Sequence, residues 1–188
     1  MDLDLTGFNI RKTQPLNAGI LGLPEDVERY VAKAQGLIGF DFFAGDIISI
    51  INTEGVQIAE VVAFDNFGKC SQNIISCKKN SDASFIKNIL SNSADNKFLL
   101  NKLKKKNINF HKAVSTNLFN SETKVGETQD LECLEDGFVI VAAPGEDMTV
   151  DTQNPATDLE VRVKRKNRIN NKSNYYLPPP LADIKDEF

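Results

Sequence analysis

Two polar residues interrupt an aliphatic stretch of this chain, and both carry groups able to bind or polarise a small molecule. Gln57 and Glu60 lie within Val56-Gln57-Ile58-Ala59-Glu60-Val61-Val62-Ala63-Phe64, which ends at Asp65. A polar group buried in a sheet costs about 1–3 kcal/mol unless it finds a partner. Each residue therefore has either a hydrogen-bonded structural role or a place in a site. On an extended strand, Gln57 and Glu60 face opposite sides and cannot form one constellation without a bulge. Gln57 and Asp65 share parity, so they could border one small polar-ligand pocket at a barrel mouth. The competing reading, which the sequence favours, is structural. Gln57 bonds neighbouring backbone, and Asp65 opens the Asp65-Asn66-Phe67-Gly68 turn as Asx side chains do.

The single histidine, His111, follows Phe110 in an Asn-rich connection. No carboxylate or thiol is paired with it in its motif, so a general-base role has no support. The favoured reading is an incidental exposed side chain. With Gln57, Glu60 and Asp65 it completes the candidate ligand-binding set. Cys70 and Cys77 have six residues between them, not Cys-x-x-Cys spacing, and Cys133 falls in an expected strand. They read as small, reduced fillers. A catalytic zinc usually takes three protein ligands, and nothing here spaces such a set. Ser115-Thr116-Asn117 is no nucleophile motif, because no Gly-x-Ser-x-Gly occurs. Neither phosphate-cradling glycine motif occurs. No catalytic residue and no metal ligand is assigned.

The elements that must position these residues follow from periodicity. The run 36–43 reads as a strand leading into Ala44-Gly45-Asp46. Ile47 to Ile51, almost wholly apolar, reads as a strand covered on both faces. It is expected to form a hairpin with Val56–Phe64 across Asn52-Thr53-Glu54-Gly55. Pro24 to Tyr30 is expected to form a helical turn, since acidic residues favour a helix start. Ser81-Asp82 caps a helix bearing Phe85, Ile86, Ile89 and Leu90 on one face. A second helix over 94–106 buries Phe98, Leu99 and Leu103, with Lys102, Lys104, Lys105 and Lys106 complementing its dipole. Leu131 to Leu134 is expected to pair with Phe138 to Ala143 across Glu135-Asp136-Gly137. The last strand, Leu159 to Arg165, alternates strictly; Arg162, Lys164 and Arg165 are expected on its solvated face, which could also dock a following domain. Met148 is expected at a loop edge. Two strand groups flanking a helical pair give α+β, mainly antiparallel, with a barrel-like or sandwiched sheet and helices near 82–106.

The chain has 188 residues, 41% of them hydrophobic, enough for one domain with its own core. Residues 1–24 read as an N-terminal arm, 25–168 as one β-rich domain, and 169–188 as a Pro-rich, linker-like tail. A net charge of -4 argues against a general nucleic-acid binder. No run of about 18 apolar residues occurs, so no transmembrane helix is expected. Sparse cysteines, odd in number, suit a reducing cytosol and a cytoplasmic location.

Several segments line up in order with one family. Phe43-Ala44-Gly45-Asp46, Asn52 through Gln57 and Glu60 through Asp65 form the centre of the match. Pro24 through Tyr30, Leu118-Phe119, Ala142 through Met148, Pro155 through Leu159 and Leu177 through Asp183 extend it. Together they resemble the urea carboxylase-associated domain family. The likeness is closer to the N-terminal copy of that domain in long multidomain proteins, where it precedes a second copy and a folate-binding, glycine-cleavage T-protein-like aminomethyltransferase region. The resemblance implies an accessory or ligand-binding domain in one-carbon or methylated-amine metabolism, without its own catalysis. Folate would belong to a partner domain, and a downstream aminomethyltransferase domain or a homologous subunit would be the partner. The tail resembles an interdomain linker. Short family members resemble metal-dependent hydrolases, with a His-Asp pair and cysteines around a zinc-type site. This sequence departs from that, because His111 is followed by Lys112. The hydrolase activity is therefore not carried over. The alternative is a hydrolase or deiminase of urea- or guanidine-like compounds with a degenerate zinc site around His111, Glu60 and a cysteine, or a non-catalytic subunit of such a heteromer.

Overall fold

The computed structural model describes residues 26–92, 96–145 and 155–166. The expected arm (1–24), the Pro-rich tail (169–188) and Met148 lie outside the described residues. Within them run β1 (Val27–Ala32), β2 (Leu37–Phe42), β3 (Ile47–Asn52), β4 (Ala59–Asp65), α1 (Ser84–Asn92), α2 (Lys97–Lys105), β5 (Thr116–Leu118), β6 (Glu127–Glu132), β7 (Gly137–Ala142) and β8 (Leu159–Lys164). The strands form two four-stranded sheets, ordered β1-β8-β3-β6 and β2-β7-β4-β5. Every paired strand is antiparallel. This order, with the chain crossing repeatedly between facing sheets, is that of an eight-stranded jelly roll. The α+β expectation holds as a sandwich rather than a closed barrel.

Two cores share the β2-β7-β4-β5 sheet. Between the sheets lie Phe40, Phe42, Ile48, Ile50, Val61, Val139, Val141, Val161 and Val163. On the far side of that sheet, Val62, Phe64, Phe138 and Ile140 meet Ile86 and Leu90 of α1 and Leu99 and Leu103 of α2. Gly39 on β2 permits this approach: a Cβ there would stand 2.7 Å from Leu99 Cδ1 and 2.8 Å from the Phe138 ring. Lys102 and Lys106 then reach Asp41 at 2.9 and 2.7 Å, fastening α2 to β2. Burial pushes the Asp41 carboxyl up, but the two ammonium groups outweigh it and hold it below its ordinary value.

Several expectations are corrected. The two expected hairpins do not form. β3 pairs with β8 and β6, whereas β4 pairs with β7 and β5 in the facing sheet. Likewise β6 and β7 lie in different sheets. Short, turn-rich links here carry the chain across the sandwich, because β4 and β7 must be covered on both faces. β3 is not covered on both, and Ile47 is 38% exposed. Residues 27–32 are strand rather than helical turn, since Val27, Tyr30 and Val31 pair along β8. Phe98 is 83% exposed, because the buried stripe of α2 runs through Leu99 and Leu103, four residues apart. Among the described residues, no helix is long and apolar enough to cross a membrane.

Candidate functional site

Glu60 is 3% exposed and points from β4 into the helix-covered side. Its Oε2 accepts the Ile86 backbone N–H at 2.8 Å, in the first turn of α1. The Ser115 hydroxyl lies 3.4 Å from Oε1, and Ser115 Oγ itself accepts the Ala83 N–H at 2.9 Å. Strand β4 thus supplies, through a tertiary contact, a carboxylate for the orphan N–H groups at the start of α1. Burial raises the Glu60 carboxyl above its ordinary value, against the opposing pull of the Ile86 and Phe85 N–H groups and Ser115. Ser115 is fully buried, so its hydroxyl serves as a relay within the fold.

Gln57 holds one end of the sandwich together. Its Nε2 donates to Ile58 O at 2.7 Å and Pro144 O at 2.8 Å, while its Oε1 accepts from Thr157 N at 2.7 Å. Its own carbonyl accepts from Asn52 Nδ2 at 2.7 Å. These bonds join the β3–β4 link, the end of β7 and the approach to β8. Val56 beside it takes φ 55, a left-handed conformation that a β-branched residue rarely adopts, and donates its N–H to Thr123 O at 3.0 Å.

Asp65 lies at the opposite end of β4. Its Oδ1 accepts from the N–H groups of Phe67 and Lys69, both at 2.9 Å, closing the turn before Cys70. With all of β4 between them, Gln57 and Asp65 are roughly 25 Å apart and border no common pocket. His111 is exposed on a 3-10 turn at Phe110–Lys112, its ring 4.2 Å from that of Phe110. The structure brings none of the four candidates together. A surface cavity of about 350 Å³ is lined instead by Lys79, Asn80, Ser81, Asp82 and Val114.

The cysteines are free, and Cys133 is buried. Burial raises all three thiols, that of Cys133 to about 12, which keeps them protonated and poorly nucleophilic near neutral pH. No group of three or more His, Cys, Asp or Glu among the described residues is placed to hold a metal ion. His111, Glu60 and a cysteine therefore do not fit the zinc site of the alternative reading.

The largest polar feature is one the sequence reading missed. Arg165 is buried, not on a solvated face. Its guanidinium donates to Asp46 Oδ2 at 2.6 Å, Asp41 O at 3.1 Å and Glu28 Oε2 at 2.5 Å. Asp46 also accepts from the N–H groups of Phe43 and Lys166, and Tyr30 donates to Glu28. Burial opposes the Arg165 charge, but the two carboxylates more than offset this and hold its pKa above the ordinary value. The signal was present: Leu159, Val161, Val163 and Arg165 share one parity, so alternation sends Arg165 inward.

What fold and site together define is a jelly-roll domain in which Gln57, Glu60 and Asp65 serve hydrogen bonds within the fold, while His111 stays exposed. No family model matches the chain. Over 169 residues, 89% of this chain, it is 32% identical to a trimethylamine-oxide aldolase of Ruegeria pomeroyi (strain ATCC 700808 / DSM 15171 / DSS-3). The name of that relative belongs to methylated-amine metabolism, and the chain spans 21% of its length.

Proposed function

We propose that this chain is an accessory module of a system that handles methylated amines, without catalysis of its own, working beside a folate-dependent aminomethyltransferase-type domain. The observation that carries the reading is the proportion of the match. Nearly all of this chain, 89%, corresponds to 21% of a trimethylamine-oxide aldolase, as a single module of a larger enzyme would. The side chains support it. Glu60, Gln57 and Asp65 are engaged in helix capping, loop fastening and turn closure. The likeness to the urea carboxylase-associated domain family points the same way.

The test is direct. The purified chain is incubated with trimethylamine oxide, and loss of substrate is followed by proton NMR. No turnover and no tetrahydrofolate binding by the chain alone are expected. The chain co-expressed with its neighbouring reading frames should co-purify with a folate-binding partner. Turnover by the isolated chain would make it an enzyme and overturn the proposal. Failure to engage any folate-binding neighbour would remove the accessory role.

A further inference from the structure

Among the described residues, the outer face of the β1-β8-β3-β6 sheet carries no helix, and its charges are sorted. Cross-strand register places Arg29, Arg162, Ser49 and Asp130 in one row across β1, β8, β3 and β6. The flanking rows are Val31, Glu160, Ile51 and Thr128, and Val27, Lys164, Ile47 and Glu132. The β1–β8 side is therefore basic, through Arg29, Arg162 and Lys164. Glu160 offsets part of this charge by pairing with Arg29 at 2.7 Å and Arg162 at 2.6 Å. The β6 side is acidic, through Asp130 and Glu132. Lys164, Asp130 and Glu132 have no ion pair among the described residues. Between the two sides, β3 presents Ile47 and Ile51, with Ile47 38% exposed.

We propose that this face binds a second copy of the same chain, face to face, about a twofold axis parallel to the strands. The charge distribution selects that axis. A twofold along the strands reverses the order of strands across the interface, so β1 of one copy lies over β6 of the other. Arg29 then meets the partner copy's acidic edge in its own row, twice by symmetry, while β3 lies over β8. A twofold across the strands would instead stack basic on basic and acidic on acidic, which is repulsive. Sheets packed face to face keep their strands within about 30°, which preserves this register. Four strands at about 4.8 Å spacing and six residues at about 3.4 Å rise give roughly 400 Å² per copy. A stable interface uses about 800 Å² per partner, so the dimer is weak, concentration-dependent and salt-sensitive. The proposal is independent of the methylated-amine reading.

Sedimentation velocity on the full 188-residue chain, from micromolar to millimolar concentration, tests it. Reversible dimerisation that weakens with added salt is expected. Arg29→Asp and Asp130→Arg should each weaken self-association at least about tenfold. An equimolar mixture of the two should dimerise again, because both cross-pairs then have opposite charge. Ile47→Lys, which sets a second ammonium against the partner copy's Lys164 in the same row, should also weaken dimerisation while thermal melts show an intact fold. If Arg29→Asp fails to fold because Glu160 loses a partner, Asp130→Arg and Ile47→Lys decide. A wild-type chain that stays monomeric throughout would overturn the proposal, as would variants that dimerise like wild type, or folded charge variants whose mixture stays monomeric.

Discussion

The two sheets of this sandwich share one interior and differ in what lies behind them. The β2-β7-β4-β5 sheet is backed by α1 and α2, and its central strands β4 and β7 are buried almost residue for residue. Among the described residues nothing backs the β1-β8-β3-β6 sheet, and β8 alternates between buried and exposed positions along its C-terminal half. Where polar groups occur on the backed side, each is tied down: Glu60 to α1, Asp41 to two lysines. On the other side, among the described residues, the charges meet water and only Glu160 is enclosed, by its own arginines. Residue type alone did not separate the two. β3 is as aliphatic as β7, yet half of it lies at a solvated face.

Substitutions should separate the sheets in the same way. Phe64→Ala, in the helix-backed core, is expected to cost about 3–5 kcal/mol, measured by urea unfolding. Arg165→Ala should cost a similar amount, because it leaves buried Asp46 and half-buried Glu28 without this cation. Arg165→Met combined with Asp46→Ala should recover part of that loss, since the burden lies in the uncompensated charge. Glu60→Ala removes the tertiary cap of α1 and should cost about 2 kcal/mol, with the loss of helical signal concentrated in α1 by hydrogen exchange.

Glu60 also predicts a pH dependence with a definite sign. Its carboxyl is raised by burial, so the folded state keeps a proton at pH values where the unfolded chain has released it. Wild-type stability therefore carries no Glu60 penalty below the ordinary glutamate range and falls as pH rises to the raised value. Glu60→Gln should match wild type in acid and gain on it through that window, then hold a constant lead; urea midpoints against pH read this. The smallest effects belong to exposed sites. Phe98→Ser and Ile47→Ala should change stability by no more than about 0.5 kcal/mol. A large loss at Ile47 in dilute protein would mean that the open face is part of the folding core.

Much of the architecture was legible locally. The strands at 37–42, 47–52 and 159–164 and both helices lie close to where periodicity predicts them. The Asx turn at Asp65 was readable from the spacing of Asp and Gly. Strand partners were not, because a turn-like link between two apolar runs fits a hairpin and a sheet-to-sheet crossing equally well. Asn52-Thr53-Glu54-Gly55 and Glu135-Asp136-Gly137 both misled for this reason. The roles of Gln57 and Glu60 were also only half readable. Burial told that each needs a partner, but Pro144, Thr157 and Ile86 lie 26 to 100 residues away.

The amino-acid order by itself determined the periods: which runs extend, which coil, and which residues of β8 share a face with one another and with Arg165 just beyond it. These follow from short-range backbone geometry, which repeats every two residues in a strand and every 3.6 in a helix. Only the tertiary structure decided which strands became neighbours, which of two similar aliphatic strands received a helical cover, and that the polar side chains inside β4 and before it would bind the protein's own backbone. Those outcomes depend on contacts between distant segments, where burial and hydrogen-bond satisfaction are settled for the whole molecule at once.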